Sequence, residues 1–181
     1  MSDTVTIIVS ATKNQIVKSF GGADYQQLKF SPGSEFWTSQ HPVHDLQSLA
    51  SVIGGLEDEP TKAVIRGLPL LPENEPVARQ SQNFSTASRQ WCMIDIDSLA
   101  WDGDLQDHEA MLEYASCQLP PEFQHVDCWY HFSSSMGIKP GIRVHLWYWL
   151  ERPCSDDEMK AWLSGCPVDL RLFNPTQIHL T

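Results

Sequence analysis

The sequence predicts an α/β (α+β) fold: a small antiparallel sheet backed by helices in residues 89–181, joined to an N-terminal α/β part in residues 1–88. Three observations predict it. Apolar runs of strand length recur between turn signals from 91 to 173. Two stretches among them carry helical spacing instead. The resulting order, β-α-β-β-α-β, is that of a ferredoxin-like or RRM-like sheet. The 181 residues, 41% hydrophobic with 7 Trp, suffice for a sizeable core in one domain built of two halves.

Taken in order, TVTIIVS (4–10) and QIVKSF (15–20) alternate as strands around the polar turn ATKN. Asp45 caps a helix whose apolar residues Leu46, Leu49, Ala50 and Ile53 follow helical spacing, and Gly54-Gly55 ends it. KAVIRG (62–67) reads as a strand. Residues 68–90, with three Pro and the polar run QSQNFSTASRQ, read as a long mobile connection. WCMIDID is a strand, and residues 104–119 fit a helix with Leu105, His108, Leu112, Ala115 and Leu119 on one stripe. Pro120-Pro121 stops it. VDCWYHFS (126–133) and RVHLWYWL (143–150) are strands joined by the turn-rich loop SSMGIKPGI. SDDE (155–158) has capping-box spacing and starts a helix through Met159, Trp162 and Leu163, and VDLRLF (168–173) reads as a last strand.

Side chains alternate across a strand, so residues two apart share a face. Cys92, Ile94 and Ile96 face one way, Asp95 and Asp97 the other. Asp127, Trp129, His131 and Ser133 share a face, as do Arg143, His145, Trp147 and Trp149, and Asp169 opposes Val168 and Leu170. Each strand therefore has one apolar face for helices to cover and one carrying acids, His and Arg. A lone DxD on a wet sheet face needs no explanation. Here the acids lie in an apolar strand and converge with a third acid, a His and an Arg. Such carboxylates suit Mg²⁺ or Mn²⁺, which prefer oxygen ligands and keep waters for a phosphate. Two such ions about 3.5–4 Å apart can clamp both oxygens of a phosphoryl transfer, while His and Arg hold the triphosphate.

The ordered segments MIDID (93–97), SSSMGIKPGIRVHLWYW (133–149) and PVDLRLF (167–173) resemble the three motifs of archaeo-eukaryotic primases and primase-polymerases. Those motifs are a DxD strand, a small-residue loop leading to a strand with a His, and an apolar residue followed by an acid. The likeness is strongest to the primase-polymerase-like domains of phage, plasmid and integrated-element replication proteins. Their RxHLW strand and VDxxLFNPxQ segment look similar to this chain, as does the stretch around KAVIRGLPL, so the resemblance spans nearly the whole sequence. It implies a primase core with the ferredoxin-like sheet. Asp95, Asp97 and Asp169 become metal ligands and His145 a contact to the nucleotide's phosphates. Ser133, Ser134 and Ser135 open the second motif's loop, and Arg143 and Lys139 are phosphate contacts by charge and position. The implied reaction is template-directed nucleotidyl transfer, in primer synthesis or DNA polymerisation. It needs Mg²⁺ or Mn²⁺, a DNA template, (d)NTPs and, as a further partner, a helicase domain or protein. The second motif here reads RVH, with no serine directly before the histidine. Relatives continue beyond the third motif, so the resemblance also implies a domain excised or truncated from a longer protein.

The net charge of -11 argues against a protein that coats nucleic acid by bulk electrostatics. Bound divalent cations or a local basic groove would offset it. Five cysteines without a CxxC pair, no signal-peptide pattern and no run of 18 apolar residues predict a cytoplasmic protein with reduced thiols and no membrane partner. Two other readings compete. IDIDSL resembles the motif of HAD-like phosphatases, with Asp95 as nucleophile. A catalytically inert replication or interaction module of the same fold fits the acidity. Arg66 either faces the site or forms an ordinary ion pair. Trp147 and Trp149 either stack bases or, as strand tryptophans usually do, simply pack. His41, His44, His108 and His125 lack ligand-like spacing, His131 is a further candidate on the face of Asp127 but outside the expected set, and His179 carries no signal.

Overall fold

The computed structural model describes residues 2–21, 24–27 and 33–181. The chain is α+β, with antiparallel sheets and three α-helices among the described residues. The first half builds β1 (Asp3–Ser10), β2 (Glu35–Val43), α1 (Leu46–Gly54), β3 (Lys62–Ile65) and β4 (Val77–Ala78), with strand order β3-β1-β2-β4. The Asp45 carboxylate accepts the Ser48 N–H at 2.7 Å, and Ser48 Oγ accepts the Asp45 N–H at 3.1 Å. This reciprocal cap contributes about 1 kcal/mol and fixes where α1 starts. It aims Leu49 and Ile53 into the core, where both are buried.

The second half builds β5 (Arg89–Leu99), α2 (His108–Ser116), β6 (Trp129–Phe132), β7 (Ile142–Cys154) and α3 (Asp156–Trp162). The strands pair antiparallel in the order β6-β7-β5. Ser155 caps α3 through the expected box: its Oγ accepts the Glu158 N–H at 3.2 Å and Glu158 accepts the Ser155 N–H at 2.7 Å. Met111 and Ala115 of α2, with Met159 of α3, cover one sheet face, meeting Cys92, Ile94, Ile96, Val144, Leu146 and Tyr148. The opposite face is split. Trp91, Met93 and Trp147 pack against Val5, Ile7, Val43, Leu49 and Ile53 of the first half.

Four expectations change. QIVKSF is not a strand: only Phe20–Gly21 pairs, with Gln26–Gln27, while buried Ile16 pins the arm through its N–H to Pro60 O at 2.7 Å. Residues 68–90 are not a structureless connection. Leu68–Pro69 pairs with Phe84–Ser85 and Val77 extends the first sheet, because Val77 and Phe84 are both buried. The helix expected over 104–119 begins only at His108, where Asp107 accepts the Ala110 N–H, and Leu105 stays exposed. VDLRLF forms no strand. Asp169 caps a single 3₁₀ turn, Leu170–Phe173, by accepting the Arg171 N–H at 3.0 Å. Leu172 and Phe173 are consecutively buried, which a turn allows and an alternating strand does not. The turn lies beside β5, where the Asp169 N–H donates to Asp95 O at 3.1 Å.

Arg66 is also settled by packing. Only 1% exposed, it donates to Asp156 at 2.7 Å and to Trp91 O at 2.8 Å, so it ties the halves together away from any cleft. The five cysteines are free thiols. Among the described residues no helix is long and apolar enough to cross a membrane.

Candidate functional site

Register builds the site. Across β5 and β7, Met93 faces Trp147, Asp95 faces His145 and Asp97 faces Arg143; across β6 and β7, His131 faces His145. Alternation puts all these side chains on the face that the first half only partly covers. Where the cover stops, the face opens into a cleft of about 320 Å³. Its floor holds Asp95, Asp97, His145 and Arg143, and Ser133, Ser134, Ser135 and Lys139 form one rim. That rim is tied to β7 by the Ser133 N–H to Arg143 O at 2.9 Å. Its loop ends on Gly141 at φ +83, where a Cβ would lie 2.6 Å from Leu99 O, so only glycine permits this return into the sheet. The opposite wall comes from the first half: Lys18, Phe20 and Glu57.

The charges are arranged unequally. Asp95 is 24% exposed and Asp97 59%. Burial, then repulsion from Asp97 and Asp169, pushes the Asp95 carboxyl up to about 7. Asp97 is ion-paired with Arg143, which also donates to Ser98 Oγ. Asp169 adjoins Asp95 through the backbone, but its carboxylate turns to Arg171. The guanidinium donates to it at 2.9 and 2.8 Å and holds it below the usual carboxylate range. His145 Nε2 lies 3.5 Å from Asp95 Oδ1, and its Nδ1 lies 2.7 Å from His131 Nε2. Burial, and secondarily His131, lowers His145 to about 3, while burial lowers His131 to about 4. Both imidazoles are therefore neutral near pH 7.

Of the nine expected site residues, the structure gathers Asp95, Asp97, His145, Arg143, Ser133, Ser134, Ser135 and Lys139 around one cleft. Asp169 is adjacent but engaged with Arg171. Among the described residues no group of three or more His, Cys, Asp or Glu side chains has the spacing to hold a metal ion. The Asp95–Asp97 pair still fits a hard divalent cation that takes one or two carboxylates and fills its shell with water and phosphate oxygens. The repulsion that raises Asp95 is what such a cation relieves. Trp147 is buried in the core, so it offers no stacking surface.

Sequence reasoning missed Lys18, Phe20 and Glu57, and left His131 as a candidate outside the expected set. The first three reach the cleft only because the two halves pack, which no local pattern reports; Phe20 lies under Lys139 Nζ at 5.7 Å. His131 was legible from strand alternation. No family model, curated protein or solved structure matches this chain.

Proposed function

We propose that the chain is a primase-polymerase domain, of phage, plasmid or integrated-element type, that carries out template-directed nucleotidyl transfer from (d)NTPs with Mg²⁺ or Mn²⁺. One observation carries the reading. Two segments separated in sequence by α2 and β6, MIDID and the serine loop that runs on into the RVHLW strand, meet at a single cleft with Asp95 and Asp97 opposite His145 and Arg143. The strand order β6-β7-β5, with Asp169 beside β5, is compatible with a ferredoxin-like sheet whose fourth strand is reduced to a turn.

In the reaction, the oxygen of a 3′-hydroxyl bonds to the α-phosphorus, the hydroxyl proton passes to solvent water, and the bond to the pyrophosphate oxygen breaks with its electron pair leaving on pyrophosphate. Bound Mg²⁺ or Mn²⁺ supplies activation of that hydroxyl and neutralisation of the triphosphate. Asp95 and Asp97 would hold the cation. His145, neutral, donates a hydrogen bond to a phosphate oxygen. Lys139, Arg143 and the Ser133–Ser135 rim position the triphosphate. Lys18 and Lys139 put a cation on each wall of the cleft of this acidic chain, and Arg143 one on its floor. DNA binding by this chain is weak on its own, and a helicase domain or protein supplies the remainder.

The phosphatase alternative places its nucleophile on a parallel sheet, whereas β5 pairs antiparallel. An inert interaction module is favoured by the Arg143–Asp97 and Arg171–Asp169 pairs, which already neutralise two carboxylates. Calorimetry of dATP binding with Mn²⁺, on wild type and Asp95→Ala, separates the readings. Metal-dependent binding that the variant loses supports the polymerase reading, and primer-extension assays then test turnover. Absence of binding to wild type overturns it in favour of the inert module.

A further inference from the structure

We propose that His131 is a positioning residue: it donates its Nε2–H to His145 Nδ1 and so locks His145 with its proton on Nε2, presenting a neutral N–H donor to an anionic oxygen in the cleft. The argument starts from a carbonyl. Leu180 O lies 3.2 Å from His131 Nε2, also faces the His145 ring and can only accept, so at least one of the two rings turns a protonated nitrogen toward it. His131 Nε2 lies 2.7 Å from His145 Nδ1. With the proton on His131 Nε2, shared between those two neighbours, His145 Nδ1 is the acceptor and the His145 proton must sit on Nε2.

A second observation decides which ring donates. His131 Nδ1 is buried and has no hydrogen-bond partner among the described residues. A buried N–H without an acceptor is rarer and costlier than a buried lone pair without a donor. The opposite tautomer would leave that N–H unsatisfied and also aim the Nε2 lone pair at Leu180 O. Both faults vanish when the proton is on Nε2. His131 is held in place by its register opposite His145 and by the Trp129 ring 5.2 Å away.

On the cleft side, His145 Nε2 has Asp95 Oδ1 at 3.5 Å, too far for a good hydrogen bond, so the donor is left for a ligand. A neutral donor does not repel the cation that Asp95 and Asp97 hold. That the ligand oxygen belongs to a nucleotide phosphate rests on the reading above; the tautomer does not.

Long-range ¹H–¹⁵N spectra of ¹⁵N-histidine-labelled, ligand-free protein at pH 7.5 read the tautomer directly. Wild type should show His145 with a protonated Nε2 and a bare Nδ1. His131→Phe, which cannot donate, should shift His145 toward a tautomer mixture. His131→Gln, whose amide can replace Nε2–H, should keep the lock. dATP–Mn²⁺ affinity should fall about tenfold in His131→Phe and be largely kept in His131→Gln. A proton on His145 Nδ1 in wild type, or a tautomer unchanged in well-folded His131→Phe, overturns the proposal. If the tautomers behave as expected but no variant or wild type binds dATP, the positioning role stands and the nucleotide reading falls.

Discussion

Along β5 and β7 one sheet face changes character within four residues. At Trp91, Met93 and Trp147 it is dry, filled by rings and covered by the first half; at Asp95, Asp97, Arg143 and His145 it is polar and lines a cleft. Backbone, register and face are the same at both ends. What differs is the cover, because α1 and the first sheet reach the tryptophans and stop short of the aspartates. The dry end fixes the distance between the halves, and the open end inherits its depth from that distance. His145 sits at the border, with Trp147 two residues away in the core and the cleft on its other side.

The comparison breaks most visibly at the dry end. Trp147 is fully buried, and its Nε1 has no partner among the described residues. Trp147→Ala is expected to cost about 3–5 kcal/mol in urea denaturation. Trp147→Phe should cost much less, since it keeps the ring and removes an unpaired N–H. Equal losses in the two variants would mean that the indole N–H is satisfied after all.

A smaller effect sharpens the same contrast through pH. His179 is wholly buried between Trp91 and Trp147, donates from Nε2 to Leu172 O at 3.1 Å, and is lowered to about 3, by burial first and by Arg66 second. A folded value below the ordinary 6.5 means that the folded protein binds fewer protons than the unfolded chain. This stability is full above pH 6.5 and is lost as pH falls toward 3. Each titrating proton contributes a slope of about 1 kcal/mol per pH unit in that window. His179→Gln, which keeps a donor for Leu172 O, should flatten the slope by about one proton's worth. A slope identical to that of wild type would show that His179 ionises freely in the fold.

Much of this was readable in the sequence where the signal is local. Asp45 and Ser155 announce their helices because a cap is satisfied within three residues, and the DxD alternation places Asp95 and Asp97 on one face without any tertiary information. VDLRLF misleads because its apolar residues fit a strand equally well; only the burial of both Leu172 and Phe173, with Asp169 capping, selects the turn. The 15–20 arm misleads for the same reason, its alternation being satisfied by Ile16 alone. Arg66 and Lys18 lay beyond reach, since one is claimed by Asp156 and the other brought to the cleft only by long-range packing.

The finest test belongs to the open end, where a wall from each half carries a lysine. Lys18 makes no hydrogen bond or ion pair among the described residues, and Lys139 rests over the Phe20 ring. Neither supports the core, so Lys18→Ala and Lys139→Ala should leave stability within about 0.5 kcal/mol of wild type. Each should weaken dATP–Mn²⁺ binding roughly fivefold, and the loss should shrink in high salt, because these are solvent-facing charges. If Lys139→Ala weakens binding and Lys18→Ala does not, the ligand touches only the second half and the first half acts solely as cover. If both weaken it and the double variant loses the product of the two effects, the ligand bridges the walls, and the packing that buries Trp147 also sets the width of the site.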